Sequence, residues 1–96
     1  MLVFNVIFRC KPGMRDAFLK TLRAEGIDAA SRAEAGNLQY DYFIPVDDEN
    51  DLLLIEKYKD GDAVAAHVRQ AHVARLVELK EAYTTDLILE KFEIQD

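Results

Sequence analysis

The chain carries two histidines, His67 and His72, in one stretch of helical pattern. One acid, Glu56, stands on the otherwise apolar face of the strand just before it. With Asn5 in the middle of another strand and the phenols of Tyr40 and Tyr58, these side chains could do chemistry. An imidazole titrates near neutrality and can accept and return a proton. A carboxylate on an apolar face is either paired or held with a raised pKa, as a general base would be. A mid-strand amide offers both a donor and an acceptor. Gathered around an apolar cavity, such groups could shuttle a proton or orient a small aromatic or enolisable substrate. Each also has a plainer use. His67 could bond a backbone carbonyl where helix meets sheet, Asn5 could satisfy a neighbouring group, and Glu56 could form a structural salt bridge, even across a subunit boundary.

Spacing narrows the options. Five residues apart on one continuous helix, His67 and His72 would be separated by about 140° and would not share a face. Metal-binding pairs usually sit three or four apart, and no third ligand cluster stands in the sequence, so no metal site is expected. Only a helix break near Gln70 would turn both rings toward one cavity. Ser31 has no nucleophile elbow around it, Cys10 has no histidine near it in sequence, and no glycine loop could cradle a phosphate. Asp47, Asp48, Glu49 and Asp51 lack the ligand register of a calcium loop and read as a solvated turn.

The elements that must position these residues follow from periodicity. Leu2 to Cys10 alternates as a strand with both faces largely apolar, ended by Lys11-Pro12-Gly13. A helix is expected from about Met14 to Ala33, with Phe18, Leu22, Ala29 and Ala33 along its apolar stripe and Met14 and Leu19 flanking it. Gly26 marks a kink or a break in it, and Gly36-Asn37 ends it. Arg32 and Glu34 read as solvated residues near its end. Leu38 to Ile44 forms the second strand, with Leu38, Tyr40, Tyr42 and Ile44 on one face. After an acidic loop, Leu52 to Tyr58 returns as the third, with Leu52, Leu54, Glu56 and Tyr58 together. Asp60-Gly61-Asp62 caps a second helix reaching Tyr83, and Thr84 to Ile94 is the last strand.

The order βαββαβ predicts an α+β, ferredoxin-like domain spanning residues 1–96: a four-stranded antiparallel sheet with two main helices on one face. Strands apolar on both sides leave the other face needing a cover. A second copy of the same face supplies it, giving a homodimer around a barrel-like core.

Composition sets the remaining bounds. With 12 Lys and Arg against 18 Asp and Glu, the net charge of -6 disfavours nucleic acid and anionic membranes as partners. No apolar run is long enough for a membrane span. The N-terminal segment, interrupted by Asn5 and followed by Arg9 and Lys11, does not read as a signal peptide. The single Cys10 can close no internal disulfide. A reduced cytoplasmic setting is the default.

Several short runs carry a family resemblance. Lys11-Pro12-Gly13 follows strand one, and Arg32-Ala33-Glu34-Ala35-Gly36-Asn37-Leu38-Gln39-Tyr40 leads into strand two. Then come Leu54-Ile55-Glu56-Lys57-Tyr58-Lys59-Asp60 and an alanine-rich segment from Ala63 to His72. In this order they resemble the antibiotic biosynthesis monooxygenase domain, a dimeric α+β barrel of about this length. The resemblance implies a cofactor-independent monooxygenase in which the substrate, a small aromatic or quinol, supplies electrons to dioxygen. It implies that Asn5 and His67 bind and deprotonate the substrate, that Tyr40, Tyr58 and His72 line the pocket, and that Glu56 orients His67 or seals the subunit contact. The haem-degrading branch pairs its asparagine with a tryptophan and an axial histidine. This chain has no Trp and carries Leu76 and Val77 near that histidine's place. An isomerase of the autoinducer-phosphate type would draw on Arg9, Arg32 or Arg69. A dimeric binding protein without catalysis is the other alternative.

Overall fold

A computed structural model describes residues 1–95. Four strands, β1 (Leu2–Cys10), β2 (Asn37–Phe43), β3 (Asp51–Tyr58) and β4 (Thr84–Glu93), form one sheet in the order β2-β3-β1-β4. Every pairing is antiparallel. The helices are α1 (Arg15–Ala24), α2 (Ile27–Arg32), α3 (Gly61–Val68) and α4 (Ala71–Tyr83). This is the expected ferredoxin-like arrangement, with each long helical region divided in two. No helix among the described residues is long and apolar enough to cross a membrane.

The first division is at Gly26, whose φ of 71° lies in the left-handed region that a glycine enters at no steric cost. The turn resets the helical phase. Ile27, Asp28 and Ser31 point into the protein, whereas Ala29 and Ala33, placed on the core stripe by a continuous helix, are exposed. Asp28 is the charged member of this buried set. It lies 3.3 Å from Arg32 and 3.8 Å from Arg23, so the carboxylate is not left uncompensated.

The core forms between α1, α2, α4 and one face of the sheet. Phe8 meets Phe18 edge to face with ring centroids 5.2 Å apart. Leu22, Ile27, Leu52 and Leu54 close around that pair. The ladder puts Phe4 opposite Glu56 and Val6 opposite Leu54, while Tyr40 pairs with Glu56 on the other side. Strand alternation therefore gathers Phe4, Val6, Glu56, Tyr58 and Tyr40 on the helix-covered face. Leu38 does not join them: it falls at an irregularity between Asn37 and Gln39 and is exposed. Cys10 follows Phe4, Val6 and Phe8 by alternation into the core, beside a second irregularity at which the register passes over Thr85. Burial there pushes its thiol pKa up, with Asp51 adding to the effect and Arg15 opposing it.

The opposite face carries Val3, Ile7, Leu53, Ile55, Ile88 and Phe92, and among the described residues no helix covers it. In the acidic loop, Asp48 Oδ1 accepts from the backbone amides of Asn50 and Asp51, both at 2.7 Å. Such a self-bonded Asx turn is the solvated turn expected there.

One close approach fixes how α3 sits. Gly36, at the entry to β2, accepts a 3.0 Å bond from the amide of Lys59. A β-carbon on Gly36 would collide with that of Ala63 in α3. Gly36→Ala must therefore push α3 outward, and it is expected to cost about 1–3 kcal/mol. Urea unfolding at neutral pH measures the loss; an unchanged midpoint would show that the two segments part freely.

Candidate active site

Asp60 caps α3, its side chain accepting from the amide of Ala63 at 2.9 Å. The helix runs only to Val68. Gln70 then takes an extended conformation, with φ −77° and ψ 146°, and becomes the N-cap of α4. His67 ends one helix and His72 begins the next. The expected angular separation presumed a continuous helix, and the break removes it: the ring centroids lie 6.0 Å apart.

Both rings converge on Glu34. His67 Nδ1 is 2.9 and 2.8 Å from the two carboxylate oxygens, and His72 Nε2 is 2.7 Å from Oε2. Glu34 is therefore not the solvated helix residue expected from its position. It sits in the turn between α2 and β2, its own amide bonded to Ser31 and its carbonyl to Asn37. An ionised carboxylate only accepts, so both imidazoles donate to it from these nitrogens. Neutral His67 then keeps its lone pair on Nε2. That atom lies 3.3 Å from Glu56 Oε1, which accepts a 2.5 Å hydrogen bond from the Tyr58 hydroxyl. Tyr58 and Tyr40 flank the imidazole at centroid distances of 5.1 and 6.3 Å.

The donor-capable atoms of Glu34, His67 and His72 lie within 4.8 Å of one another. The spacing argument against a shared site therefore loses its premise. What fills the space is the carboxylate itself, lying between the two nitrogens and hydrogen-bonded to both.

Burial dominates the electrostatics. It raises the pKa of Glu56, with Glu34 adding to the effect; the Tyr58 bond and His67 oppose it. The Tyr58 phenol is pushed well above the ordinary tyrosine range by burial and then by Glu56, and Tyr40 by burial and then by Tyr42. Both phenols stay protonated at neutral pH, and that of Tyr58 donates to Glu56.

Between the sheet and α3 and α4 lies an apolar cavity of about 250 Å³. Phe4, Val6 and Leu87 form its floor, and Val64, Leu76 and Val77 form its roof. Polar groups stand at one end, where Glu56, Tyr58 and His67 meet it, with Lys80 elsewhere on the wall. Val68, Val77 and Leu89 also line it and are 49–60% exposed, which makes an apolar mouth. Glu34 belongs instead to a polar groove on the far side, with Gly36, Lys59, Asp60, Asp62 and Gln70.

The expected site residues thus divide. Glu56, Tyr58 and His67 share the cavity. Tyr40 backs His67 without reaching it, and His72 stays outside it, sharing Glu34 with His67 and lying edge-on to that ring. Asn5 alternates to the uncovered face, opposite Ile55 and Glu90, and does not meet His67. Of the arginines suited to a phosphate, none lines the cavity; Arg32 is taken up by the Tyr40 carbonyl and Asp28. Glu34 was the residue missed, although it stands two positions before the Gly36-Asn37 turn in the run that carries the family resemblance.

Comparison with known proteins points the same way. The family model described as "Antibiotic biosynthesis monooxygenase" matches residues 1–79. The chain is 40% identical over 72 residues to the Bacillus subtilis (strain 168) protein named "Putative monooxygenase YcnE", covering 75% of this chain and 74% of that one. PA3566 from Pseudomonas aeruginosa superposes with a TM-score of 0.87 at 29% identity, over 99% of this chain and 94% of its own. A crystal structure of an antibiotic biosynthesis monooxygenase gives a TM-score of 0.85 at 28% identity, with both chains fully covered.

The raised Glu56 pKa has a consequence for stability. The ordinary glutamate value is 4.5, and the folded value lies above it. The stability Glu56 contributes is complete below the ordinary value and is lost as pH rises through the folded one. Glu56→Gln, which cannot titrate, is expected to gain on the wild type between about pH 4 and about pH 7. Urea unfolding of both proteins at the two pH values checks this; a constant difference would refute the raised pKa.

Proposed function

The chain belongs to the antibiotic biosynthesis monooxygenase family, and from that premise we propose that it is a cofactor-independent monooxygenase of a small aromatic or quinol-type substrate. One observation carries the reading: an apolar cavity whose only carboxylate–imidazole pair, Glu56 and His67, stands at one end beside a phenol. An apolar cavity of about 150 Å³ holds benzene, so about 250 Å³ admits a substituted single ring.

The substrate ring packs against Phe4 and Leu76 with a hydroxyl toward His67 Nε2. His67 takes the hydroxyl proton, and Glu34 stabilises the imidazolium as the orienting carboxylate of a triad does. Burial raises the Glu56 pKa, which eases its protonation beside the forming phenolate. The electron-rich anion then reduces dioxygen, which partitions readily into an apolar space. In the net reaction a quinol and dioxygen give a hydroxyquinone and water. One oxygen atom enters the ring, the other leaves as water, and all four electrons come from the substrate.

The same premise supports a homodimer across the uncovered sheet face, where Ile7, Ile55 and Phe92 would leave water. Sedimentation is expected to give twice the chain mass, falling to one chain in Ile55→Glu. A wild-type monomer at micromolar concentration would contradict it.

Oxygen uptake with a panel of quinols tests the activity. His67→Ala is expected to lose about 100-fold or more, whereas Asn5→Ala, on the other face, keeps the wild-type rate. Uptake at the same rate in wild type and His67→Ala would leave a binding protein as the better reading.

A further inference from the structure

Glu34 stands between two imidazoles that look in different directions. His67 faces the apolar cavity, while Glu34 faces the polar groove and His72 approaches it from the start of α4. The side chains of His67, Glu34 and His72 are 8%, 14% and 17% exposed. His67 is therefore sealed from water on its Glu34 side except through Glu34 and His72. The mouth of the cavity is apolar, and the polar neighbours of His67 on its Nδ1 side are Glu34 and, through it, His72.

We propose that Glu34 couples the two imidazoles, so that His67 gains a proton from the cavity as His72 releases one to the groove. The inference rests on the reading of His67 as the base. A single buried carboxylate offsets one positive charge, and two imidazolium ions around it would leave one uncompensated. The proposal places the pair's one positive charge on His72 before the substrate binds, with Nε2–H of His72 on Glu34 throughout. When His67 Nε2 takes the substrate proton, the positive charge moves to the cavity side, and His72 gives its Nδ1 proton to water. Proton count and net charge are conserved across Glu34, and no proton crosses the chain.

Other charged groups set the background. Glu56 and Tyr58 face His67 from β3, and Tyr40 flanks it from β2. Lys59, Asp60 and Asp62 border the groove, and Lys80 the cavity. Glu56 is engaged by the Tyr58 hydroxyl and lies on the cavity side, so Glu34 is the counter-charge that both imidazoles share. His72 acts here as a positioning residue that never touches the substrate.

The test uses 4-nitrophenol as an ionisable cavity probe, in weak buffer with a pH indicator. Wild type is expected to bind it as the phenolate and release a proton to solvent. His72→Gln keeps a donor to Glu34 but carries no proton to release, and it should release about tenfold less per bound probe. Equal release from both proteins overturns the coupling while leaving the proposed activity standing. If wild type does not ionise the probe, the base role of His67 fails instead. The coupling is then read without any ligand, from the ring nitrogen signals of labelled protein against pH. A His67 curve spread over two steps in wild type and a single step in His72→Gln supports it. Superimposable curves overturn it.

Discussion

A carboxylate removed from water must be paired or neutralised, and at Glu34 that requirement brings three distant parts of the chain together. The turn before β2 supplies the acid, the last turn of α3 supplies His67, and the first turn of α4 supplies His72. None of the three could form the site alone. Gly36 lets α3 come close enough to the turn, and the extended Gln70 swings α4 so that its first histidine faces back. The helix break is thus a device for aiming a side chain. It shortens two helices and leaves the local backbone to be satisfied by caps, among them the Gln70 side chain donating to the Ala66 carbonyl at 3.1 Å.

The sheet divides labour by parity. Because side chains alternate, each strand contributes to both of its faces, and a one-residue step decides which. Glu56 and Tyr58 fall on the side covered by the helices, in a dry environment that raises the pKa of both. Asn5, one residue from Phe4, falls on the other. The cavity can stay apolar over most of its wall because Glu56, Tyr58 and His67 are concentrated at one end, against one another. Mutual satisfaction makes a buried polar cluster tolerable.

The strands, their order and the face shared by Glu56 and Tyr58 were legible in the sequence because alternation is local and strong. The family was legible as well, from short motifs in sequence order. The helices were legible in extent but not in phase. Gly26 could be seen as a possible break, but a break's rotational offset comes from tertiary packing, so Ala29 and Ala33 were placed inward and Ile27 was not. At Gln70 the residue type gives no stop signal, and the extended backbone there is held by what the two flanking histidines reach. Glu34 was obscured for the same reason: its partners lie 33 and 38 residues away, beyond any periodic pattern. The place of Asn5 needed only the alternation already read. The family resemblance drew it toward His67, and the register with Ile55 sets it apart.

Cys10 shows what strand alternation achieves at the end of β1. In phase with Val6 and Phe8 it carries its sulfur into the core, and burial favours the thiol form. Oxidants such as peroxide attack the thiolate, not the thiol. If the proposed oxygen chemistry released partly reduced oxygen, it would do so beside the protein's own side chains. With its one cysteine buried and protonated, the chain presents such species with no ready sulfur nucleophile. The remaining sulfur of the chain is that of its two methionines, Met1 and Met14.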